Sequence, residues 1–290
     1  MIGVDVGGTR IKVAHVDGAT VVRFASLETP VGKPPEALLD VIAAAVRDLD
    51  PTPATLGVAI PGEVDAQGKC YRLPNIPGFD GVPIADELKR RTGARVVVEN
   101  DATTAGLAES LFGHGREYPS FLLITLGTGV GGGVVVERRI VRGAHGFGGE
   151  VGHMTVDSGA DAPLCGCGNR GCLEAFAGTR ALLHAFSAAG GTATEIREIA
   201  DSARRGEPSG RAALDRASDA LAIAINSIQN LLDLDAFVFA GGVSKSFDLL
   251  EPRIRAGLRA RRFAPPLSEV PLLVSGLGEH AGVVGAAHLA

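Results

Sequence analysis

The chain has 290 residues, 46% hydrophobic and 21% charged, with a formal net charge of −5. That length allows two domains with real cores or one large α/β unit, and the balance of charge supplies no global basic field for nucleic acid or an anionic membrane. No apolar run reaches the ~18 residues of a membrane span, and 4% aromatic residues with no Trp offer little platform for base stacking.

In chain order, residues 2–6 (IGVDV) form a short apolar strand that stops at Gly7-Gly8. A second strand runs from Ile11 to Val16, and Asp17-Gly18 is a hairpin signal into a third, Thr20 to Leu27. Leu38, Val41, Ile42, Ala45, Val46 and Leu49 keep helical spacing between Pro35 and Leu49. Leu56 to Ile60 reads as a buried strand, followed by a loop rich in turn residues. A helix at 83–92, a strand at 95–98 and a helix at 102–111 complete the first half. The second half restarts in the same way: strand 121–126, a glycine turn GTGVGGG, and an extended run from Val134 to Val141. Helices are expected at 173–187, 193–205 and 210–232, then strand 236–240, helix 245–260, strand 271–274 and a last helix from 279. The repeated pattern implies two α/β domains of the actin-like ATPase (ribonuclease H-like) fold, with a cleft lined by the glycine turns. The expected domains are 1–115 and 116–277, with the final helix 278–290 returning to the first.

Glycine is abundant, 40 residues, and its clusters imply backbone brought close to a ligand. Asp5-Val6-Gly7-Gly8-Thr9 offers unobstructed N–H groups, a hydroxyl and an acid able to face a magnesium shell. Alone, such a Gly-Gly is ordinary hairpin chemistry; Gly127-Thr128-Gly129 repeats it at the same place in the second half. Gly127, Gly129 and Gly132 also match the dinucleotide spacing, but that pattern must open a helix, and here it leads into the extended VVVERRIV. No GxxxxGK[ST] is present. Gly241-Gly242, after AFVFA, is a third turn able to carry a flat ring.

Between His145 and Glu174 lie Cys165, Cys167 and Cys172 with two histidines and two glutamates. One His and three Cys make a full tetrahedral set for structural zinc, with no open position for catalysis. His153 is the expected fourth ligand and His145 a competitor. The zinc deaminase pattern, H-x-E followed by PCxxC, is not met, because here the Glu precedes the His. Cysteines at metal spacing, with only Cys70 outside the cluster, suit a reducing cytoplasm, and no secretory leader is evident in MIGVDVGGTR.

Six motifs together resemble the ROK family of sugar kinases and sugar-responsive repressors: DVGGT at 5–9, ENDA at 99–102, GTGVGGG at 127–133, EVGH at 150–153, CGCGNRGCLE at 165–174 and AGGV at 240–243. The resemblance spans essentially the whole chain. It implies a hexose kinase, glucokinase first, using ATP and Mg²⁺ with a structural Zn²⁺; N-acetylmannosamine kinase and fructokinase are alternatives. Carried over by position, Asp101 is the general base, and Asn75, Asn100, Asp101, Glu150, His153 and Glu174 hold the sugar. Asp5, Gly7, Gly8, Thr9, Arg10, Lys12, Gly127, Thr128, Gly129, Gly241 and Gly242 hold the nucleotide; His153, Cys165, Cys167 and Cys172 hold the metal. A homodimer or homotetramer is the expected assembly. On the tripeptide alone, Asp101 reads equally as a helix cap.

Arg10, Thr104 and the His153–Cys165 interval depart from the usual family pattern. The repressors of the family carry a helix-turn-helix domain before the kinase-like body, and none is expected here. The arginines at 253, 255, 259, 261 and 262 are expected to form a solvated face near a helix C-terminus rather than a nucleic-acid patch. A non-catalytic, ATP-binding scaffold of the actin class is a third reading, disfavoured because a scaffold needs neither Asp101 nor the EVGH pair.

Overall fold

The computed structural model describes residues 1–74 and 76–290. In chain order its elements are β1 (Ile2–Val6), β2 (Arg10–Asp17), β3 (Thr20–Glu28), α1 (Pro35–Leu49), β4 (Thr55–Ile60), β5 (Glu63–Val64), β6 (Cys70–Arg72), α2 (Ile84–Thr92), β7 (Arg95–Asn100) and α3 (Asp101–Phe112). They continue as β8 (Phe121–Leu126), β9 (Val130–Val136), β10 (Arg139–Ile140), α4 (Glu174–Ala177), α5 (Thr179–Ala188), α6 (Ile196–Arg204) and α7 (Pro208–Leu232). The chain ends with β11 (Ala236–Ala240), α8 (Phe247–Arg261), β12 (Leu272–Val274) and α9 (Ala281–Ala287). Two compact units result. Unit 1 comprises Met1–Pro119, Gly133–Gly149 and Gly276–Ala290; unit 2 comprises Ser120–Gly132 and Glu150–Ser275.

In unit 1 the sheet order is β3-β2-β1-β4-β7. β1 runs antiparallel to β2 and parallel to β4, and β4 runs parallel to β7. Apart from Asp5 and Thr55 the central strands β1 and β4 are apolar or glycine because both faces are covered: Ile2, Val4, Val6, Leu56, Val58 and Ile60 are all buried. Helix α1 buries Leu38, Leu39, Ile42, Ala45, Val46 and Leu49 in that core. It begins with a proline in its first turn, where a missing N–H costs nothing.

Helix α9 packs on the same sheet through Val283, Val284 and Ala287 against Ala14 and Val16, and at two glycines its backbone comes close to the strands. A Cβ on Gly3 would lie 2.1 Å from the Val283 carbonyl oxygen, and one on Gly57 would lie 1.7 Å from that of Ala286. The strands therefore meet the helix backbone to backbone. Gly57→Ala is expected to destabilise the protein by about 1–3 kcal/mol or more, as overpacking of a filled core does. Differential scanning calorimetry reads the drop; an unchanged melting midpoint would show that α9 does not seat there.

Two expectations drawn from periodicity are corrected. The extended run expected over 134–141 is a hairpin: Glu137 and Arg138 both take positive φ (49° and 64°), a primed turn that joins β9 to β10. Its preceding glycines lie inside β9, which starts at Val130. Gly133 must lack a Cβ because the Ala102 carbonyl oxygen of α3 would sit 2.7 Å from it. The helix expected over 173–187 is split at Gly178, whose extended backbone (φ −71°, ψ 153°) separates α4 from α5. The second five-stranded sheet has the order β10-β9-β8-β11-β12, with β8, β11 and β12 mutually parallel.

Candidate functional site

In unit 1, β1 delivers Asp5 to the first glycine turn. Gly7 N–H donates to the Arg10 carbonyl at 2.8 Å, and Thr29 bonds both the Gly7 carbonyl (2.7 Å, through Oγ1) and the Thr9 carbonyl (3.0 Å, through N–H). The turn is thus fixed from beneath by β3's continuation. Burial pushes the Asp5 carboxyl above its usual range, opposed by Lys12, its cross-strand partner in β2. Arg10 turns away along the sheet, giving Nε to Ser26 Oγ at 2.7 Å and Nη2 to the Ser26 carbonyl at 2.9 Å.

Strand β7 ends in Asn100 and α3 starts at Asp101. The two readings of Asp101 separate here. Asn100 is the N-cap: its Oδ1 accepts from Ala102 N–H at 2.9 Å and Thr103 N–H at 3.1 Å. Asp101 accepts one backbone bond, from Ala102 N–H at 2.8 Å through Oδ1. The capping task therefore falls on Asn100, and Asp101 occupies the first helical turn, where the helix dipole favours its charge. Motif reading overlooked Glu99. It is buried, with Oε1 accepting Asn100 N–H at 2.9 Å and Oε2 accepting Arg142 Nε at 2.5 Å. Its position directly before Asn-Asp was the available signal. Asn75, expected on the sugar, lies outside the described residues.

In unit 2 the second glycine turn closes with Gly127 N–H on the Gly129 carbonyl at 3.0 Å, and Thr179 N–H bonds the Gly127 carbonyl at 2.9 Å. Thr128 is exposed at the tip. Glu174 lies directly under this turn: Oε2 accepts Val130 N–H at 3.0 Å, and a Cβ on Gly129 would fall 2.1 Å from that oxygen. Glu174 was expected among the sugar contacts; within unit 2 its Oε2 bonds the second glycine turn through Val130 N–H.

His153, Cys165, Cys167 and Cys172 present ligand atoms all within 4.8 Å of one another. Cys165 Sγ lies 3.8 Å from His153 Nδ1, and Cys167 Sγ lies 3.8 Å from Cys172 Sγ. Tetrahedral zinc with Zn–S near 2.3 Å places its sulfurs about 3.8 Å apart, so the donor set fits that ion. Burial and the neighbouring thiols push Cys172 up to about 12, a clustering of thiols that a divalent cation relieves by taking them as thiolates. His153 turns its other nitrogen outward, with Nε2 4.0 Å from Glu150 Oε2. His145 is exposed and stands outside the four. Cys165 Sγ also approaches Glu174 Oε1 at 3.8 Å, so Glu174 bridges the cysteine knot and the second glycine turn.

Gly241 takes φ 93° because a Cβ would meet the Leu126 carbonyl oxygen at 2.4 Å, while Gly242 is exposed with open space where a side chain would stand. The arginine cluster is the solvated face expected, with Arg253, Arg259, Arg261 and Arg262 exposed. Arg253 forms ion pairs with Asp219 (2.7 Å) and Asp215 (3.0 Å) on α7, Arg259 with Glu269 (2.9 Å), and Arg255 with Glu251 (3.4 Å) within α8. These arginines are matched by acids and are not a free basic patch. Among the described residues no helix is long and apolar enough to cross a membrane.

Two α/β units, each opening with strand, glycine turn and strand, define the actin-like ATPase fold. The profile of the ROK family matches residues 1–290, and the chain belongs to that family. It is 31% identical over 307 residues to the glucokinase of Thermotoga maritima, covering 100% of this chain and 96% of that protein. It is 32% identical over 301 residues to the N-acetyl-D-glucosamine kinase of Pasteurella multocida, covering 99% and 98%. The solved structure of a ROK family glucokinase from Streptomyces griseus, in complex with glucose and AMPPNP, matches with a TM-score of 0.83 at 32% identity, covering 100% of this chain and 98% of that one.

Proposed function

We propose that this protein is an ATP-dependent hexokinase that phosphorylates glucose, with Asp101 as the general base. The observation that carries the proposal is the division of labour at the start of α3. Asn100 makes the N-cap bonds of α3, so the Asp101 carboxylate, which accepts Ala102 N–H through Oδ1, is not required to cap the helix. In the reaction the Asp101 carboxylate takes the proton of the sugar hydroxyl. The hydroxyl oxygen forms a bond to the γ-phosphorus as the bond from that phosphorus to the bridging oxygen breaks, and ADP leaves. The turns at Gly7–Thr9 and Gly127–Gly129 supply backbone N–H groups to the phosphates, and the open face at Gly241-Gly242 suits the adenosine ring.

Mg²⁺ on the phosphates would neutralise their charge, and the residues fit it: Asp5 is a hard oxygen donor at the first glycine turn, its carboxyl pushed up by burial and opposed by Lys12. Zinc in the cysteine knot would be structural, since His153 and three cysteines leave no open position. Glu150 and the outward Nε2 of His153 would grip sugar hydroxyls, with Asn75, Asn100 and Glu174 completing the set. N-acetylglucosamine is the competing substrate, because relatives with that activity are as similar as the glucokinases; N-acetylmannosamine and fructose follow. A homodimer or homotetramer in the cytoplasm is the working assembly, to be read by light scattering.

The test is ADP release against a panel of hexoses and N-acetylhexosamines. Glucose is expected to give the highest kcat/KM. Release stimulated by no sugar would refute a kinase, and preference for an N-acetylhexosamine would replace the substrate while keeping the reaction.

A further inference from the structure

We propose that the ion pair between buried Glu99 and half-exposed Arg142 is a positioning device for the Asn100–Asp101 turn, with Arg142 keeping the Glu99 carboxylate on the Asn100 N–H. The inference rests on the reading of Asp101 as the base. Every polar group of Asn100 is engaged. Its N–H is held by Glu99 Oε1 (2.9 Å), its carbonyl by Thr104 Oγ1 (2.8 Å), its Oδ1 by Ala102 and Thr103, and its Nδ2 donates to the Gly62 carbonyl at 3.2 Å. Of these holds, only the one from Glu99 depends on a charge, and that charge is 4% exposed.

Arg142 Nε donates to this carboxylate at 2.5 Å and is the cation that compensates its burial. The arginine is itself located by its loop. Gly148 N–H closes the loop on the Arg142 carbonyl at 2.8 Å, Gly146 (φ 93°) packs on the backbone of Asp65 and Ala66, and Phe147 meets Tyr71 edge-on at 5.6 Å. Beside the pair lies a cavity of about 330 Å³ lined by Val97, Glu99, Arg142, Asp65 and Leu289. Apart from Arg142, that lining offers no cation, and Asp65 adds a second acid. Without Arg142 the Glu99 side chain has room to swing into the cavity toward water and a reason to do so. Its departure frees the Asn100 N–H, and the peptide that orients Asp101 loses its anchor. Geometry errors of about 1 Å at a reacting group can cost of order 100-fold in rate.

The experiment is steady-state kinetics of four variants with glucose and ATP, at a temperature well below each melting midpoint. Arg142→Met is expected to lower kcat by roughly 10–100-fold, with KM for ATP unchanged within about twofold, because the second phosphate turn belongs to the other unit. Arg142→Lys, which keeps a cation, should restore most of the rate. Glu99→Gln/Arg142→Met has no orphaned charge and an amide oxygen still able to accept the Asn100 N–H; it should exceed Arg142→Met by roughly fivefold or more. A kcat for Arg142→Met within twofold of the parent, a parallel rise in KM for ATP, or a double variant no faster than Arg142→Met would each overturn the proposal. Asp101→Asn runs alongside. If it is inactive while Arg142→Met is fully active, the positioning role fails and the base stands; if it retains full activity, the base assignment itself fails. Should Arg142→Met not fold, Arg142→Gln takes its place, since it too leaves the buried Glu99 carboxylate without a cation; a kcat within twofold of the parent then overturns the device.

Discussion

Asp101→Asn is expected to reduce glucose-stimulated ADP release by about 10²–10⁴-fold, the range that a positioned general base contributes. The structure makes the substitution a clean one. Asp101 Oδ1 accepts Ala102 N–H at 2.8 Å, and the carboxamide oxygen of Asn can accept the same bond. The N-cap bonds belong to Asn100 and stay in place. What is lost is the proton acceptor, together with a negative charge in the first turn that favours the helix by about 0.3–1 kcal/mol. The melting midpoint should therefore move little while the rate collapses, and calorimetric glucose affinity should persist. A variant that keeps its rate would remove Asp101 from the chemistry. One that loses rate and fold together would return it to a structural role.

Removing metal from the cysteine knot is expected to weaken glucose and nucleotide binding together, each by tenfold or more. Structural zinc contributes about 10–16 kcal/mol to the folding of small sites, so the loop from His153 to Cys172 should loosen. Motif reading alone leads to a narrower expectation, loss of sugar affinity ahead of nucleotide affinity, since His153 and Glu150 sit at the metal. Glu174 widens it. Its carboxylate approaches Cys165 Sγ at 3.8 Å and holds Val130 N–H at 3.0 Å, directly beneath Gly129. Disorder in the knot is thereby passed to the second phosphate turn within the same unit. Metal analysis of the parent protein and of Cys165→Ser/Cys167→Ser, followed by calorimetric titration of glucose and AMPPNP, reads both effects. Intact AMPPNP affinity in the metal-free protein would show that Glu174 holds the turn without help from the knot.

Local pattern carried much of this site. The glycine turns, the Asn-Asp pair and the CxC-x4-C stretch are runs of a few residues whose chemistry is set by the residues themselves, and the metal group assembles from the four predicted side chains. Strands β1, β4 and β8 were legible because burial on both faces demands continuous apolar sequence. The hairpin at Glu137-Arg138 was not legible. Two charged residues at positive φ carry no turn signature, and the β-branched run before them reads as uninterrupted strand. The break at Gly178 was missed for a related reason: helical spacing of apolar residues continues across it, and the turn is tied by a distant contact, Thr179 N–H on the Gly127 carbonyl at 2.9 Å.

By itself the sequence pointed to the family, the two α/β units, the four His and Cys side chains that cluster and the candidate base, because each depends on short-range spacing. Tertiary structure alone decided which partner each charged group takes. Arg142 pairs with Glu99 across 43 residues, Val130 with Glu174 across 44, and Arg253 with Asp219 across 34. Nothing periodic links such positions; the closed chain brings them together, and for Glu99, 4% exposed, it sets a cation beside a buried carboxylate.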